Sequence, residues 1–469
     1  MTEVAEEASS ASPVHLVGHL EPVPDEIEVH DLPVTGALPQ ELTGRYLRNG
    51  PNPLPGENPG HWFAGHGMVH GIRIRDGRAE WYRNRWVRTN LLEGRFEAGD
   101  GAALDRSVTP ANTHIIEHSG HLLALCEGGL PYELTADLDT EGPRAFDGRL
   151  TNGMTAHPKE DPDTGELHFF GYGFRPPYLT YHRLSPAGEL VRSQVVDVPS
   201  ATMMHDFAIT ENHVIWLDLP VTFDLDLVGR ALPYRWNDDY GARLGVMARD
   251  GEPAVRWFDI DPCYVFHVGN AREDAAGRIV LDAVRWDRDT FRSGWSRLGG
   301  DGRARREGGL AGELSGTGRS TLHRWTFDLA SGSVREQAID DRGVEFPTLN
   351  ENHVGRDNRY LYTVAEQLDD SNTGAAVVKY DTATGIGETH DLGAGRTAGE
   401  AVFVPAAGAR NEDDGWLLSI VSDRSGKGSD LVVLDATDLT AAPVATVHLP
   451  RRVPTGFHGS WIPDAELDA

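Results

Sequence analysis

Short apolar runs separated by tight turns recur along most of the chain. The runs are rich in Val, Ile, Leu and aromatic residues, as at 167–172 and 431–434, and such runs are typical of β-strands. Gly or Asp in the intervening turns supplies the backbone dihedrals that a hairpin requires. These turn sequences stand at 76–77, 161–165, 186–188, 274–277, 328–332 and 381–385. Because long helical periodicity is scarce, the pattern predicts an all-β protein.

The spacing of the hairpins favours one all-β architecture. It is irregular over most of the 469 residues, which fits radial repetition better than a single sandwich, because radial blades leave only short strand edges exposed. We therefore expect a β-propeller. It is expected to form a single β-propeller domain at 15–469, preceded by a flexible N-terminal tail at 1–14.

Composition excludes several classes of protein. The 72 acidic and 43 basic side chains give a formal net charge of −29, which repels nucleic-acid phosphates, so we expect no nucleic-acid partner. Two isolated cysteines, Cys126 and Cys263, are too few for a disulfide framework or a thiolate zinc site. The start of the chain lacks the pattern of an export signal, and no apolar run approaches the roughly 18 residues of a membrane span. These patterns favour a cytoplasmic protein.

Four histidines in four unrelated local contexts are candidate metal ligands: His157, His205, His267 and His458. Neutral imidazole binds iron, copper or zinc without adding charge, so an all-imidazole set would leave a divalent ion its full charge. None of the four shows local ligand spacing such as His-Glu-x-x-His. Because the chain has 20 histidines, spacing alone does not identify a site.

The sequence around each of these histidines resembles the carotenoid cleavage oxygenase family. Further matching segments are RNGPNP at 48–53, GHGMVH at 65–70 and GFHGSW at 456–461. The motifs follow the family's order and span the chain. The resemblance implies a seven-bladed β-propeller with loops forming a dome over an axial iron site. It also implies one non-haem Fe(II) per chain, held by the four histidines, and no organic cofactor.

The same resemblance places three glutamates around the histidines: Glu127, Glu345 and Glu400. A carboxylate that accepts the remote ring N–H orients a metal-bound imidazole and offsets charge. The resemblance pairs the glutamates with three of the histidines and leaves His157 without one. Taken alone, the sequence around each glutamate is typical of a solvent-exposed strand end. The neighbouring Phe346 and Phe403 instead favour buried positions, where a charge must be partnered.

Thr113 and a set of aromatic residues complete the candidate site. In similar bacterial enzymes a threonine at this place points at the vacant iron position, where it could restrict access or hold water; an ordinary strand threonine is the alternative. Candidates for lining an apolar substrate tunnel are Trp62, Phe63, Tyr132, Phe207, Phe266 and Phe457. Burial inside the blades is the alternative interpretation for each of these aromatic residues.

Two segments depart from the regular pattern. The Gly/Arg-rich stretch 292–319 is expected to be a loop. The apolar segment 225–236 is expected to cover the substrate entrance, and it leaves open a transient contact with a membrane surface during substrate uptake.

The resemblance implies an oxidoreductase that uses dioxygen to cleave a carbon–carbon double bond of a carotenoid or apocarotenoid into two carbonyl products. Stilbenes and phenylpropenes are the alternative substrates. Stilbene-cleaving members are expected to carry a lysine beside the first outer glutamate, where this chain has Cys126, so an apolar polyene or a small phenylpropene is favoured. An isomerase, a non-catalytic propeller and a zinc or copper hydrolase remain as further alternatives.

Overall fold

Seven antiparallel sheets make up most of the computed structural model, which describes residues 13–95, 105–251, 254–299, 319–365 and 375–467. Each sheet is one blade of a propeller, so the predicted all-β, seven-bladed architecture is confirmed. The expected tail at 1–14 lies, as far as residue 12, outside the described residues. Val14–Leu16 forms a 3-10 turn in which His15 is buried.

The blades are numbered along the chain, and the strands of each blade follow one another from the axis outwards. Blade 1 has Gly459–Pro463, Gly44–Pro51, Gly67–Arg75, Arg78–Trp86 and Glu28–His30. Blade 2 has His114–His118, His121–Leu125, Tyr132–Leu134 and Thr140–Pro143. Blade 3 has Lys159–Glu160, Leu167–Tyr172, Leu179–Leu184 and Leu190–Val196. Blade 4 has Ala208–Ile209, His213–Asp218, Arg243–Ala248 and Val255–Asp259.

The remaining blades follow the same plan. Blade 5 has Val268–Glu273, Ile279–Arg285, Thr321–Asp328 and Ser333–Ala338. Blade 6 has Glu345–Thr348, Tyr360–Ala365, Ala376–Asp381 and Ile386–Asp391. Blade 7 has the short inner strands Arg396–Ala398 and Val402–Pro405, then Gly415–Asp423, Ser429–Asp435, Ala445–His448 and Val34–Gly36.

Helical structure is sparse and lies outside the blades. Among the described residues the helices are α1 (Arg288–Arg297) and α2 (Asp464–Leu467), with 3-10 turns at Val14–Leu16, Gly18–Leu20, Trp62–Ala64, Leu225–Leu227 and Glu351–His353. No helix in the described ranges is long and apolar enough to cross a membrane.

Helix α1 corrects the expected loop at 292–319. It begins at an N-cap, where the side chain of Asp287 accepts a hydrogen bond from the Thr290 N–H at 2.7 Å. Phe291 and Trp295 are buried on one face. The many Gly and Arg residues of the stretch obscured this short apolar face in the sequence. Residues 300–318 of the stretch lie outside the described part of the chain.

The strands reflect their distance from the axis. Inner strands of neighbouring blades contact each other, as Ala208–Ile209 contacts Val268–Glu273. The next strand is buried on both faces, and Leu167–Tyr172 is buried along its whole length, which explains why its sequence is mostly apolar and does not alternate with polar residues. The outer strand Leu190–Val196 alternates between exposed and more buried positions. This gradient places polar residues at the blade edges and leaves the axis to side chains from the inner strands.

The two ends of the chain close the ring together. Gly459–Pro463 pairs with Gly44–Pro51 in blade 1, while Val34–Gly36 pairs with the outer strand of blade 7. Directly after the closing strand, Asp464 forms ion pairs with Arg45 at 2.6 Å and with Arg73 at 2.7 Å. The Asp464 side chain is only 11% exposed. Its negative charge is stable there because the two arginines compensate it.

We predict that Asp464→Asn lowers the free energy of unfolding by about 3 kcal/mol, because it leaves buried arginine charge without its carboxylate. Urea unfolding followed by tryptophan fluorescence measures the change. Glu388→Gln is the matched control, since Glu388 is exposed on the outer strand of blade 6. Unfolding of Asp464→Asn at the parent's urea concentration would contradict a role for this ion pair in ring closure.

Candidate metal centre and cavity

Every blade places one candidate residue at or beside the beginning of its inner strand. In blade order from 1 to 7 these residues are His458, Thr113, His157, His205, His267, Glu345 and Glu400. Since inner strands meet at the axis, residues far apart in the sequence are brought to one region. The fold thus supplies the convergence that local sequence spacing did not show.

The four candidate histidines form a compact cluster. Each offers a ring nitrogen, and these atoms all lie within 4.8 Å of one another. The Nε2 atoms of His157 and His205 are 2.9 Å apart, and those of His205 and His267 are 3.3 Å apart. Two imidazoles bound at right angles to one ion, each about 2.1 Å from it, would place their nitrogens about 3.0 Å apart. The spacing therefore fits adjacent ligands of one metal ion.

Three of the histidine rings contact a carboxylate through Nδ1, the ring nitrogen that faces away from the cluster. The Nδ1 atom of His205 contacts Glu127 Oε1, that of His267 lies 2.6 Å from Glu345 Oε2, and that of His458 lies 3.0 Å from Glu400 Oε1. Within the described ranges, no carboxylate contact is found at His157. The geometry thus brings together the pairs that the family resemblance implied.

This hydrogen bonding fixes which ring nitrogen can bind a metal. Nδ1–H of His205 and of His267 donates to a carboxylate, so Nε2 of each neutral ring carries a lone pair. When both rings are neutral, these two Nε2 atoms face each other and cannot form a hydrogen bond between themselves. A cation between them satisfies both lone pairs. The donor set therefore fits a divalent transition metal, although imidazole alone accepts iron, zinc or copper.

Burial keeps most of the rings neutral. It lowers the pKa of His157 and His458 well below the usual value, and it lowers the pKa of His267 to about 3. At His205 burial acts in the same direction, but the charge and hydrogen bond of Glu127 outweigh it and raise the pKa. Burial also raises the pKa of Glu345 to about 7. The positive charge of a bound ion would favour the ionised form of such a carboxyl group.

The carboxylates are themselves held by hydrogen bonds that the sequence did not indicate. The Tyr172 hydroxyl donates to Glu127 Oε2, Trp286 Nε1 donates to Glu345 Oε1 at 2.5 Å, and the backbone N–H of Gly459 donates to Glu400 Oε2 at 2.9 Å. Burial and the neighbouring Glu127 raise the pKa of Tyr172 well above its usual value, so it remains a donor. Such supporting bonds orient the ligands of a metal site.

The N-terminal motif at 48–53 positions the loop that carries His458. The backbone carbonyl of Asn49 accepts a hydrogen bond from the N–H of Phe457 at 3.0 Å. The backbone N–H of Asn49 donates to the carbonyl of His458 at 3.1 Å. Arg48 Nη2 donates to the carbonyl of Pro454 at 2.5 Å. A Cβ at Gly50 would lie 2.7 Å from the Cα of Gly456, so the close approach of the two segments requires glycine there.

Thr113 lies at the cavity wall together with His205, His267 and His458. Its hydroxyl donates to Asn112 Oδ1 at 3.0 Å. Asn112 in turn donates to the carbonyls of Phe63 and Gly65. These bonds fix Thr113 beside the segment of blade 1 that carries Phe63 and Gly65. The backbone N–H of Thr113 donates to the carbonyl of Leu125.

A largely apolar cavity of about 800 Å³ extends from the histidine cluster. Of the expected tunnel residues, Trp62, Phe63, Phe266 and Phe457 line it. Their rings are packed closely, as the Phe63 and Phe457 centroids are 5.2 Å apart. Further aromatic walls, not foreseen from the sequence, come from Phe174, Tyr234, Trp286, Phe291, Trp295 and Phe346.

Two of the expected tunnel residues do not line this cavity. Tyr132 is buried among residues of blades 1 and 2, and its hydroxyl donates to the carbonyl of Ser107 at 2.7 Å. Phe207 stacks on Trp216 with ring centroids 5.7 Å apart. Both residues fill the apolar layers between blades, and proximity to a motif in the sequence could not separate that position from the cavity wall.

The apolar segment 225–236 forms most of a hairpin in which Val221–Phe223 pairs with Tyr234–Trp236. Leu232 and Tyr234 line the cavity, whereas Leu225 and Val228 near the tip are 75% and 53% exposed. One hairpin therefore contributes both to the cavity wall and to an exposed apolar surface.

Comparison with known proteins identifies the family. Residues 20–463 match the family described as retinal pigment epithelial membrane protein. A carotenoid cleavage oxygenase of Mycobacterium tuberculosis is 41% identical over 98% of this chain and 99% of the relative. Among solved structures, Pseudomonas brassicacearum lignostilbene dioxygenase has a TM-score of 0.84 and 30% identity, covering 96% of this chain and 98% of that one. Cobalt-substituted Synechocystis apocarotenoid oxygenase has a TM-score of 0.78 and 29% identity, covering 94% and 97%.

The matches extend over nearly the whole chain and agree with the propeller and its axial histidine cluster. The chain therefore belongs to the retinal pigment epithelial membrane protein family of carotenoid cleavage oxygenases and is an oxidoreductase of the dioxygenase type.

Proposed function

We propose that this protein is a non-haem iron(II) dioxygenase that cleaves a carbon–carbon double bond of a carotenoid or apocarotenoid into two carbonyl products. The observation that carries the proposal is the position of the buried four-imidazole cluster at the wall of a large aromatic cavity. In this proposal His157, His205, His267 and His458 bind one iron ion, and Glu127, Glu345 and Glu400 hold three of the rings.

The cavity chemistry favours an apolar polyene as substrate. Aromatic and aliphatic side chains form most of the wall near the histidines, and such surfaces bind conjugated hydrocarbons through burial and stacking. Cys126 also lines the cavity, and burial raises the pKa of its thiol. A neutral thiol cannot form an ion pair with a phenolate, as a lysine at that position would.

A stilbene or phenylpropene is the second candidate substrate. It is supported by the likeness of the whole chain to a lignostilbene dioxygenase. In that case Tyr234, whose pKa burial raises, would offer a hydroxyl group in the cavity. The choice between the two classes depends on whether the site binds a polyene or a phenolic ring more tightly.

In the proposed reaction the residues of the chain orient the olefin and exclude water. Bound iron(II) would supply the redox chemistry that activates dioxygen. Phe63, Phe266 and Phe457 confine the double bond within the cavity beside the cluster. We assign to Thr113 the role of restricting access to the metal or holding water there, because its side chain lies at the same wall and is fixed by Asn112.

The reaction is proposed to take place in the cytoplasm, with substrate drawn from a membrane surface in transient contact. The exposed Leu225 and Val228 support this contact, since they lie on the hairpin that also lines the cavity. The two described cysteines are free thiols, in keeping with a reducing compartment.

Alanine at any one of the four clustered histidines is expected to remove most bound iron and most turnover, since each would supply one of four protein bonds. Iron content by elemental analysis and product formation are measured on folded protein. His30→Ala is the control, because His30 is exposed on the outer strand of blade 1. A folded variant with full iron and full turnover would exclude that histidine from the site.

Glutamine at Glu345 or Glu400 is expected to lower iron affinity or turnover by about 10-fold to 100-fold, as is typical when a partner of a ligating histidine is lost. Glutamine keeps the shape of the side chain but removes the charge that orients Nδ1–H. Iron titration with a competing chelator measures the affinity, with Glu388→Gln as control. Parent-like affinity and turnover in both variants would refute the proposed supporting role of the carboxylates.

Cleavage under isotopically labelled dioxygen is expected to place label in both carbonyl products. The physical reason is that a dry aromatic cavity prevents water from supplying either oxygen. Mass spectrometry with rapid reduction of the aldehydes avoids exchange with water. A polyene and a stilbene tested side by side distinguish the two substrate classes. Label in one product only would indicate monooxygenation, and product formation without dioxygen would indicate an isomerase or a hydrolase.

A further inference from the structure

A second cavity of about 470 Å³ adjoins the catalytic cavity. The two share Arg106, Tyr172, Gly173 and Phe174 in their walls. The shared residues therefore form the boundary between an apolar chamber at the histidine cluster and a separate chamber nearer the surface of blade 3. We call this second cavity the vestibule.

The charge of the vestibule is opposite to that of the whole chain. Arg106, Arg149 and Arg175 line it, and no Asp or Glu of the described ranges does so. The remaining polar lining comes from neutral donors such as Asn152 and Ser193. In a chain with a net charge of −29, Arg106 and Arg149 in a wall without a described acidic residue create a local positive potential.

Arg106 is the arginine closest to the site already described, because it lines both cavities. Its Nη1 donates to the carbonyl of Gly128 at 2.9 Å, next to Glu127 in the sequence. Among the described side chains, no carboxylate forms an ion pair with it. A Cβ at residue 173 would lie 3.4 Å from Nη2, an ordinary van der Waals distance, so the guanidinium lies beside the backbone of Gly173 at the boundary. Burial lowers the pKa of Arg106, yet guanidinium stays charged in proteins.

Tyr172 connects the vestibule to the metal centre. Its ring forms part of the boundary, and its hydroxyl bonds to Glu127, which contacts His205. An elongated substrate with its double bond beside the histidine cluster would have to cross the boundary at Tyr172 and Phe174 to reach the arginines. The end of that substrate would then lie outside the apolar cavity, beside the arginines of the vestibule.

We propose that the vestibule binds a carboxylate terminus of the olefin substrate, and that Arg106 determines specificity for such acidic polyenes. This inference rests on the proposed function. The guanidinium of Arg106 donates to the carboxylate in paired hydrogen bonds, a geometry that carboxylates accept well. Arg149 adds positive charge on the outer side. The apolar chain then lies among Phe63, Phe266 and Phe457, with its acid end held outside the dry chamber.

The test compares a conjugated polyene acid with its methyl ester, using iron-loaded enzyme. Arg106→Gln should lower kcat/KM for the acid about tenfold more than it lowers kcat/KM for the ester, as expected for loss of a charge-assisted hydrogen bond. Arg106→Lys should retain part of the preference for the acid. Arg335→Gln, exposed on the outer strand of blade 5, controls for the general loss of positive charge.

Binding of dodecanoate and of dodecanol, measured by calorimetry on the same iron-loaded protein, gives a readout that does not depend on turnover. The parent should bind dodecanoate more tightly than dodecanol, and Arg106→Gln should remove the difference. If Arg106→Gln does not fold, Arg149→Gln should lower the same preference, since Arg149 is exposed at the vestibule.

The outcomes separate the two proposals. Equal losses for the acid and the ester, or equal binding of dodecanoate and dodecanol by the parent, would overturn the role of the vestibule while leaving the proposed reaction intact. If neither polyene is cleaved although dodecanoate binds preferentially, the carboxylate site stands and the proposed reaction fails.

Discussion

The convergence of four buried imidazole nitrogens on one point governs the architecture of this protein. Lone pairs aimed at each other inside a low-dielectric interior repel unless a cation lies between them. The Nδ1 contacts of three rings fix that orientation, and Tyr172, Trp286 and Gly459 hold the carboxylates in turn. Because every blade contributes a candidate residue beside its inner strand, a propeller is well suited to bring side chains from distant parts of one chain to one site.

Much of this arrangement was accessible from the sequence, although by different routes. Hairpin turns and short apolar runs predicted the all-β class because those signals are local. The number of blades required the family resemblance, since strand lengths and insertions vary too much for visible repeats.

Helix α1 was missed because Gly and Arg around it masked an apolar face of two residues. Tyr132 and Phe207 were misplaced because an aromatic residue in a layer between blades and one at a cavity wall have the same local pattern. Arg106 and Tyr172 carried no local signal, since their positions depend on contacts between distant segments.

The structure separates the part that holds the cluster from the part that shapes the cavity. Inner strands in contact with one another hold the histidines, and rigid elements place functional groups more reproducibly than loops do. The hairpin ending at Tyr234–Trp236 and helix α1 are insertions between blade strands, and both contribute cavity walls. Such insertions can differ without altering the centre, so related chains with the same axial cluster can act on olefins of different shape.

Closure of the ring by both chain ends has a consequence for biosynthesis. His458 lies beside the final strand of blade 1, which pairs with a strand synthesised more than 400 residues earlier. During translation, His157, His205 and His267 emerge well before His458, so the nascent chain holds an incomplete cluster. Contacts between such distant segments form late in folding, because loop-closure entropy must be overcome first. The fourth imidazole therefore joins the other three only when Gly459–Pro463 pairs with Gly44–Pro51, so the step that closes the ring is also the step that completes the histidine cluster.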